Sequence, residues 1–128
     1  MGDARQDLLK TIGYSDKAVT WITTDHHFGR KEGYNVEANE KGACGDQLWL
    51  FLKVENGIIR EASFEHVGCM GLQASAAGLT TMIEGMPEDE AFKIDVPALV
   101  SYIGGIPDQK MDCAELACNT LRKALTAA

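Results

Sequence analysis

The stretch of sequence that decides the fold runs from Gly42 to Gly85 and reads GACGDQLWLFLKVENGIIREASFEHVGCMGLQASAAGLTTMIEG. Two largely apolar segments lie at its centre, residues 47–54 and residues 58–67. Asn56-Gly57 separates them, and this dipeptide is typical of the tight turn of a β-hairpin. We therefore predict two antiparallel strands joined at Asn56-Gly57.

Side chains of the second strand should alternate between a packed face and a wet face, because successive strand residues point to opposite sides. Strict alternation places Ile58, Ala62 and Phe64 on one face and Ile59, Ser63 and Glu65 on the other. Residues 33–39 are predicted as a third strand, since a hairpin alone is only marginally stable.

Helices are predicted on both sides of the hairpin from apolar residues at helical spacing, capping residues and glycine stops. They cover residues 3–13, a segment that starts after the N-cap residue Ser15, the small-residue run from Met70 to the stop at Gly85, a short helix begun by Pro87 and the acids Glu88 to Glu90, residues 97–103 and residues 111–127. The expected fold is α+β: a small antiparallel sheet of about three strands covered by several helices, in one domain spanning residues 1–128.

Size and charge exclude several classes of function. A chain of 128 residues, 45% of them hydrophobic, has material for one domain with a core of its own. The net charge of -7 repels phosphate backbones, so we expect no nucleic-acid partner. No apolar run is long enough to cross a bilayer and the charged N-terminus does not resemble a signal peptide, so we expect no membrane partner and a cytoplasmic location. Cytoplasmic cysteines are kept reduced, which points to metal binding or thiol chemistry.

Three of the four cysteines lie where predicted elements end. Cys44 precedes the first strand in a glycine-containing turn, Cys69 lies between the second strand and the next helix, and Cys113 opens the last helix. The partial positive charge of a helix start is expected to lower the pKa of the Cys113 thiol and favour the thiolate, which is the form that binds metal. Taken singly, each cysteine is equally well explained as a small buried hydrophobic residue.

Asp46 follows Cys44 by two residues and offers an oxygen ligand beside the sulfurs. A mixed set of this kind holds iron or zinc less firmly than four thiolates, which suits a site that releases its contents. The more ordinary role of an aspartate beside a glycine is to cap a turn.

The remaining candidates are interpreted as structural. Cys118 lies inside the last helix and points about 140° away from Cys113 at roughly 100° per residue, so it is predicted to fill core or surface. His26, His27 and His66 are expected to be solvated or hydrogen-bonded rather than metal-bound.

These motifs resemble the iron-sulfur cluster scaffold proteins of the IscU, SufU and NifU N-terminal type. The pattern of that family is a Cys-Gly-Asp turn, an Asn-Gly-type hairpin, and a Gly-Cys pair followed by an Ala- and Ser-rich helix with a glycine stop. All of these appear in order within residues 42–85, and a third cysteine, Cys113, then comes at a helix start.

The resemblance implies a scaffold rather than an enzyme: a protein that accepts sulfur from a cysteine desulfurase, accepts iron, assembles a cluster and passes it to apo iron-sulfur proteins. The family's ligands fall on Cys44, Cys69 and Cys113, its modulating aspartate on Asp46, and a supporting lysine on Lys110. The implied cargo is an iron-sulfur cluster, 2Fe-2S in preference to 4Fe-4S, with zinc as the alternative occupant. A homodimer is among the partners that the resemblance allows.

Two departures from the family pattern bear on the site. Histidine precedes the third cysteine in the IscU and NifU branches, whereas this chain has Asp112, which we predict as an additional ligand that competes with Asp46. The paired prolines of the IscU chaperone-recognition segment are replaced by Ile106-Pro107, so handover through a specialised chaperone pair is not expected. SufU proteins also lack the histidine but carry a longer insertion between the second and third cysteines.

Two other interpretations use the same thiols and carboxylate. One is a zinc-bound sulfur-transfer protein, whose metal holds the thiols until a desulfurase delivers persulfide to one of them. The other is a structural zinc module closed by three cysteines and a carboxylate.

Overall fold

The computed structural model describes residues 4–42 and 45–127, so the predicted ligand Cys44 lies outside the described residues. Within those residues the chain forms six α-helices, three strands and one 3-10 turn. In chain order they are α1 (Ala4–Thr11), α2 (Asp16–Thr23), β1 (Val36–Lys41), β2 (Gln47–Glu55), β3 (Ile58–Val67), α3 (Met70–Ile83), α4 (Glu88–Phe92), α5 (Val96–Ile103), the 3-10 turn (Asp108–Lys110) and α6 (Met111–Ala127). The predicted α+β fold is confirmed.

The sheet is antiparallel with strand order β1-β2-β3. Asn56 and Gly57 have φ angles of 54° and 76°, which is the left-handed backbone that a two-residue hairpin turn requires. The predicted hairpin is confirmed. β1 starts three residues later than predicted, because the side chain of Asn35 bonds to both backbone groups of Val54 and takes the place of a strand pair there.

The predicted faces of β3 are wrong at Ile59, because a β-bulge interrupts the alternation. Lys53 pairs with Glu61 but Val54 pairs with Ile59, so β3 carries one extra residue, Arg60. The bulge resets the alternation, and Ile59 is fully buried in the same core as Ala62 and Phe64.

The core lies between one face of the sheet and the helices α2, α3, α5 and α6. Helix α3 is its centre and is buried along most of its length, which its small residues permit. At Gly78, a Cβ would lie 2.6 Å from Cγ1 of Ile103, so α5 packs directly on the backbone of α3. None of the described helices is long and apolar enough to span a bilayer.

The histidines of the loop after α2 help to fasten it to α3 and β3. His26 Nε2 lies 3.0 Å from the hydroxyl of Thr81, and His27 Nε2 lies 3.4 Å from the carboxylate of Glu84. The His27 carbonyl also accepts a hydrogen bond from Phe64 of the β3 edge. These contacts agree with the prediction that His26 and His27 are solvated or hydrogen-bonded, and their expected lack of a metal ion stays a prediction.

Candidate metal centre

The strand register brings two of the predicted ligands, Asp46 and Cys69, together at one end of the sheet. Gln47, the first residue of β2, pairs with Val67, the last residue of β3. Asp46 comes directly before Gln47, and Cys69 comes two residues after Val67. The hairpin therefore places Asp46 and Cys69 at the same end of the sheet. Helices α3 and α6 pack on each other, and Cys113, in the first turn of α6, reaches the same point.

One carboxylate and two thiols meet there. A carboxylate oxygen of Asp46 and the sulfurs of Cys69 and Cys113 all lie within 4.8 Å of one another, and the two sulfurs are 3.5 Å apart. Two thiolates bound tetrahedrally to one ion at about 2.3 Å stand roughly 3.8 Å apart. Cys69 and Cys113 are therefore spaced to bind the same zinc or iron ion.

Cys69 is the thiol that the structure prepares for ionisation. It occupies the N-cap position of α3, where backbone amides without helical partners give the helix start a partial positive charge. Burial raises the pKa of the Cys69 thiol, but the amides at the start of α3, the Cys113 thiol and the Lys110 ammonium together lower it by more. The pKa of Cys69 therefore lies below its ordinary value, which favours the thiolate.

The expectation that the helix start lowers the pKa of Cys113 is wrong. Burial, together with the neighbouring Cys69 thiol, raises the pKa of Cys113 to about 12. Only 6% of Cys113 is exposed, because α6 packs this side against the core. Two thiols 3.5 Å apart also resist ionising together, so the ionisation of one keeps the proton on the other until a cation binds.

Lys110 packs against Gly71, a residue of α3 that has no side chain. A Cβ on Gly71 would lie 2.9 Å from each of three carbons of the Lys110 stem, so the stem crosses the bare backbone of the first turn of α3. The Lys110 charge acts to lower the pKa of both Cys69 and Cys113. Its predicted supporting role agrees with this position and stays a prediction.

Asp112 lies beside the three-ligand group without joining it. It lines a surface pocket of about 300 Å³ together with Asp46 and Glu115. The ligand atoms that gather within 4.8 Å in the described part of the chain belong to Asp46, Cys69 and Cys113, not to Asp112. Its predicted role as an additional ligand therefore needs a movement of its side chain and stays a prediction.

Two further residues, Cys118 and Tyr14, bear on the interpretation of the metal centre. Cys118 is 1% exposed and packs in the core, as predicted. Sequence reasoning missed Tyr14, which is buried close enough to both thiols that they add to the effect of burial and raise its pKa to about 12. No spacing or motif in the sequence connects Tyr14 to the cysteines, since tertiary packing alone brings it there.

A sequence profile of the NifU-like N terminal domain matches residues 13–127, which include Asp46, Cys69 and Cys113. The chain belongs to this family. The match agrees with the resemblance to IscU, SufU and NifU proteins that the Cys-Gly-Asp and Gly-Cys motifs indicate.

Two relatives within the family carry functional names. The iron-sulfur cluster assembly scaffold protein IscU 1 of Archaeoglobus fulgidus is 33% identical over 115 residues, which cover 88% of this chain and 74% of that protein. The nitrogen fixation protein NifU of Nostoc sp. is 38% identical over 121 residues, which cover 88% of this chain but 40% of NifU.

A solved structure shows the same fold. The putative iron-sulfur cluster assembly scaffold protein for the SUF system from Fervidobacterium islandicum AW-1 matches with a TM-score of 0.70. The match covers 88% of this chain and 96% of that one, at 22% identity. The three-stranded sheet with its helical cover is therefore the fold of a SufU-type protein as well.

Proposed function

We propose that this protein is a scaffold on which a labile iron-sulfur cluster is assembled and from which it is passed to apo iron-sulfur proteins. Cys69, Cys113 and Cys44 supply the thiolates, and Asp46 supplies an oxygen ligand. The cluster, 2Fe-2S in preference to 4Fe-4S, is cargo built from iron and from sulfur delivered by a cysteine desulfurase. The cytoplasmic location and an association of two copies stay predictions.

The observation that carries the proposal is the meeting of two thiols and a carboxylate from three separate parts of the chain. Their ligand atoms lie within 4.8 Å of one another in the described structure. Thiolates bind iron-sulfur clusters, whereas a carboxylate in place of a thiolate weakens the hold on soft metal ions. Asp46 is therefore the residue that makes the cluster transferable.

The similarity to named scaffold proteins supports the same conclusion. The relatives from Archaeoglobus fulgidus and Aquifex aeolicus are both named iron-sulfur cluster assembly scaffold proteins, and both are 33% identical to this chain. A scaffold role also agrees with the prediction that this protein is not an enzyme.

Anaerobic reconstitution tests the proposal. Metal-free protein is incubated with ferrous iron, cysteine and a cysteine desulfurase, and sulfur-to-iron charge transfer is followed by visible absorption. We expect a cluster spectrum in the wild type and its loss in Cys69→Ser, Cys113→Ser and Cys44→Ser. Asp46→Cys, which puts a thiolate in place of the carboxylate, should still form a cluster, but should release it more slowly to an apo ferredoxin or a chelator.

Cys118→Ser is the matched control, because Cys118 lies on the same helix as Cys113 and is also buried, but its sulfur does not belong to the group formed with Asp46 and Cys69. It should assemble a cluster at the wild-type yield wherever circular dichroism shows it folded. Full retention of the cluster spectrum in a Cys69→Ser/Cys113→Ser double variant would refute the proposal.

A second function is favoured by the opposite directions in which the surroundings shift the pKa values of the two thiols. The lowered pKa of Cys69 makes it a nucleophile beside Cys113, whose raised pKa keeps its proton. In a zinc-bound sulfur acceptor, the Cys69 thiolate would attack the terminal sulfur of a desulfurase persulfide. A new S–S bond would form at Cys69 as the desulfurase S–S bond breaks, and the desulfurase cysteine would leave as a thiolate.

Mass spectrometry separates the two functions. A persulfide on Cys69 that turns over with zinc retained, and with no cluster formed, would support sulfur transfer. A structural zinc module instead predicts a large fall in melting temperature on chelation. We expect a small one, since the core of the described residues consists mainly of aliphatic and aromatic side chains, to which the site adds Cys113.

A further inference from the structure

Gly68 lies between the end of β3 and Cys69, and its missing side chain leaves a space that we call the Gly68 notch. A Cβ built on Gly68 would lie 2.6 Å from Oδ1 and 2.8 Å from Cγ of Asp46. Real Cβ atoms essentially never approach another heavy atom within 3.0 Å. The Asp46 carboxylate therefore occupies space that any side chain at position 68 would need.

The backbone and the carboxylate of Asp46 are held differently. Its backbone is fixed, because the Asp46 carbonyl accepts a hydrogen bond of 2.8 Å from Gly42. Its carboxylate, by contrast, makes no hydrogen bond or ion pair with any residue in the described ranges 4–42 and 45–127. The bare backbone of Gly68 is therefore a contact that can orient a side chain held by no hydrogen bond or ion pair among the described residues.

We propose that Gly68 is a positioning residue for metal binding, and that its notch holds the Asp46 carboxylate beside the sulfurs of Cys69 and Cys113. This inference rests on the proposed function, in which Asp46 is a ligand. It adds a requirement that the ligand set does not contain: position 68 must carry no side chain, because a methyl group there would push the carboxylate out of reach.

A substitution at Gly68 has a second effect that must be separated from the first. The φ angle of Gly68 is +138°, a conformation that residues with a Cβ rarely adopt, so Gly68→Ala also strains the backbone. Gly105 provides the matched control. Its φ angle is +128°, but a Cβ there would meet nothing within 4 Å. Gly105→Ala therefore carries the strain without displacing a ligand.

The experiment is an anaerobic Co²⁺ titration of reduced, metal-free protein. Co²⁺ is the probe because its visible bands report both affinity and coordination geometry. Wild type, Asp46→Ala, Gly68→Ala, the double variant and Gly105→Ala are compared, each checked for folding by circular dichroism.

We expect Asp46→Ala and Gly68→Ala each to weaken Co²⁺ binding about 10- to 100-fold, with the same change in the visible bands, as for residues that orient a ligand. The double variant should bind no more weakly than Asp46→Ala. The double variant has no carboxylate at position 46. The side-chain atom that remains there, Cβ, would lie 3.2 Å from the Cβ added at position 68, and a small shift relieves this contact. Gly105→Ala should bind Co²⁺ like the wild type.

Either of two results would overturn the inference while leaving Asp46 as a ligand: wild-type affinity in Gly68→Ala, or fold-losses that multiply in the double variant. Wild-type affinity in Asp46→Ala would instead refute the ligand role itself, and with it this part of the proposed function. If Gly68→Ala does not fold, Asp46→Glu decides the matter. It keeps the charge but is one methylene too long for the notch, so wild-type binding by Asp46→Glu would also overturn the inference.

Discussion

Alkylation of the metal-free protein should modify Cys69 well before Cys113, although their sulfurs are only 3.5 Å apart. The thiolate is the reactive form, so the rate follows the ionised fraction of each thiol. The pKa of Cys113 is raised from 9.0 to about 12, which lowers its thiolate fraction about 1000-fold near neutral pH, at tenfold per pKa unit. The pKa of Cys69 is lowered from the same starting value.

Exposure acts in the same direction, because Cys113 is 6% exposed whereas Cys69 is half-buried. We therefore expect Cys69 to react at least about 100-fold faster than Cys113 with iodoacetamide in the presence of a chelator. Time points are quenched, digested with trypsin and analysed by mass spectrometry. Cys69 falls in the peptide 61–93, while Cys113 and Cys118 share the peptide 111–122 and are distinguished by fragmentation.

Lys110→Met tests the electrostatic part of this prediction. Removing the Lys110 charge should slow the alkylation of Cys69, since that charge is one of the groups that lower its pKa. Lys93→Met is the control, because Lys93 at the end of α4 shifts the pKa of neither thiol. Equal rates at Cys69 and Cys113, or faster reaction at Cys113, would refute the assignment of the thiolate to Cys69.

Three further predictions concern the fold around the site. Gly71→Ala should lower the free energy of unfolding by about 1–3 kcal/mol in urea denaturation. The added Cβ would lie 2.9 Å from the Lys110 stem, and the cost of this crowding exceeds the helix-propensity gain of about 1 kcal/mol. A stabilised variant would contradict the crowding. Ser75→Ala should stabilise by about 1 kcal/mol, because the Ser75 hydroxyl is fully buried with no partner among the described residues. Thr80→Val on the same helix should destabilise, because it removes a hydroxyl that donates to the carbonyl of Ala76. Burial lowers the pKa of His27 below 6.5, so the unfolded chain binds more protons and stability should fall as the pH drops through about 6.5. His27→Asn, which tolerates the local φ of 61°, should flatten that dependence in urea melts at several pH values, and an unchanged slope would count against it.

Local signals in the sequence determined the elements of this protein. Asn56-Gly57 specified the hairpin because both residues tolerate the left-handed backbone of the turn, and α6 begins and ends where its apolar spacing predicts. The motifs around Cys44, Cys69 and Cys113 were sufficient to identify the family, and those around Cys69 and Cys113 placed these two thiols near the ends of elements.

The tertiary structure decided what the local pattern could not encode. The pairing of β2 with β3 leaves Arg60 as an extra residue, and this bulge directs the Ile59 side chain towards the core. The packing of α6 buried Cys113 and raised its pKa, whereas its position near a helix start alone suggested the opposite. The fit of Asp46 against Gly68 and of Lys110 against Gly71 depends on distances between residues far apart in the chain. Such distances are fixed only when strands pair and helices pack, which is why the sequence named the candidate ligands but the fold determined how they are held.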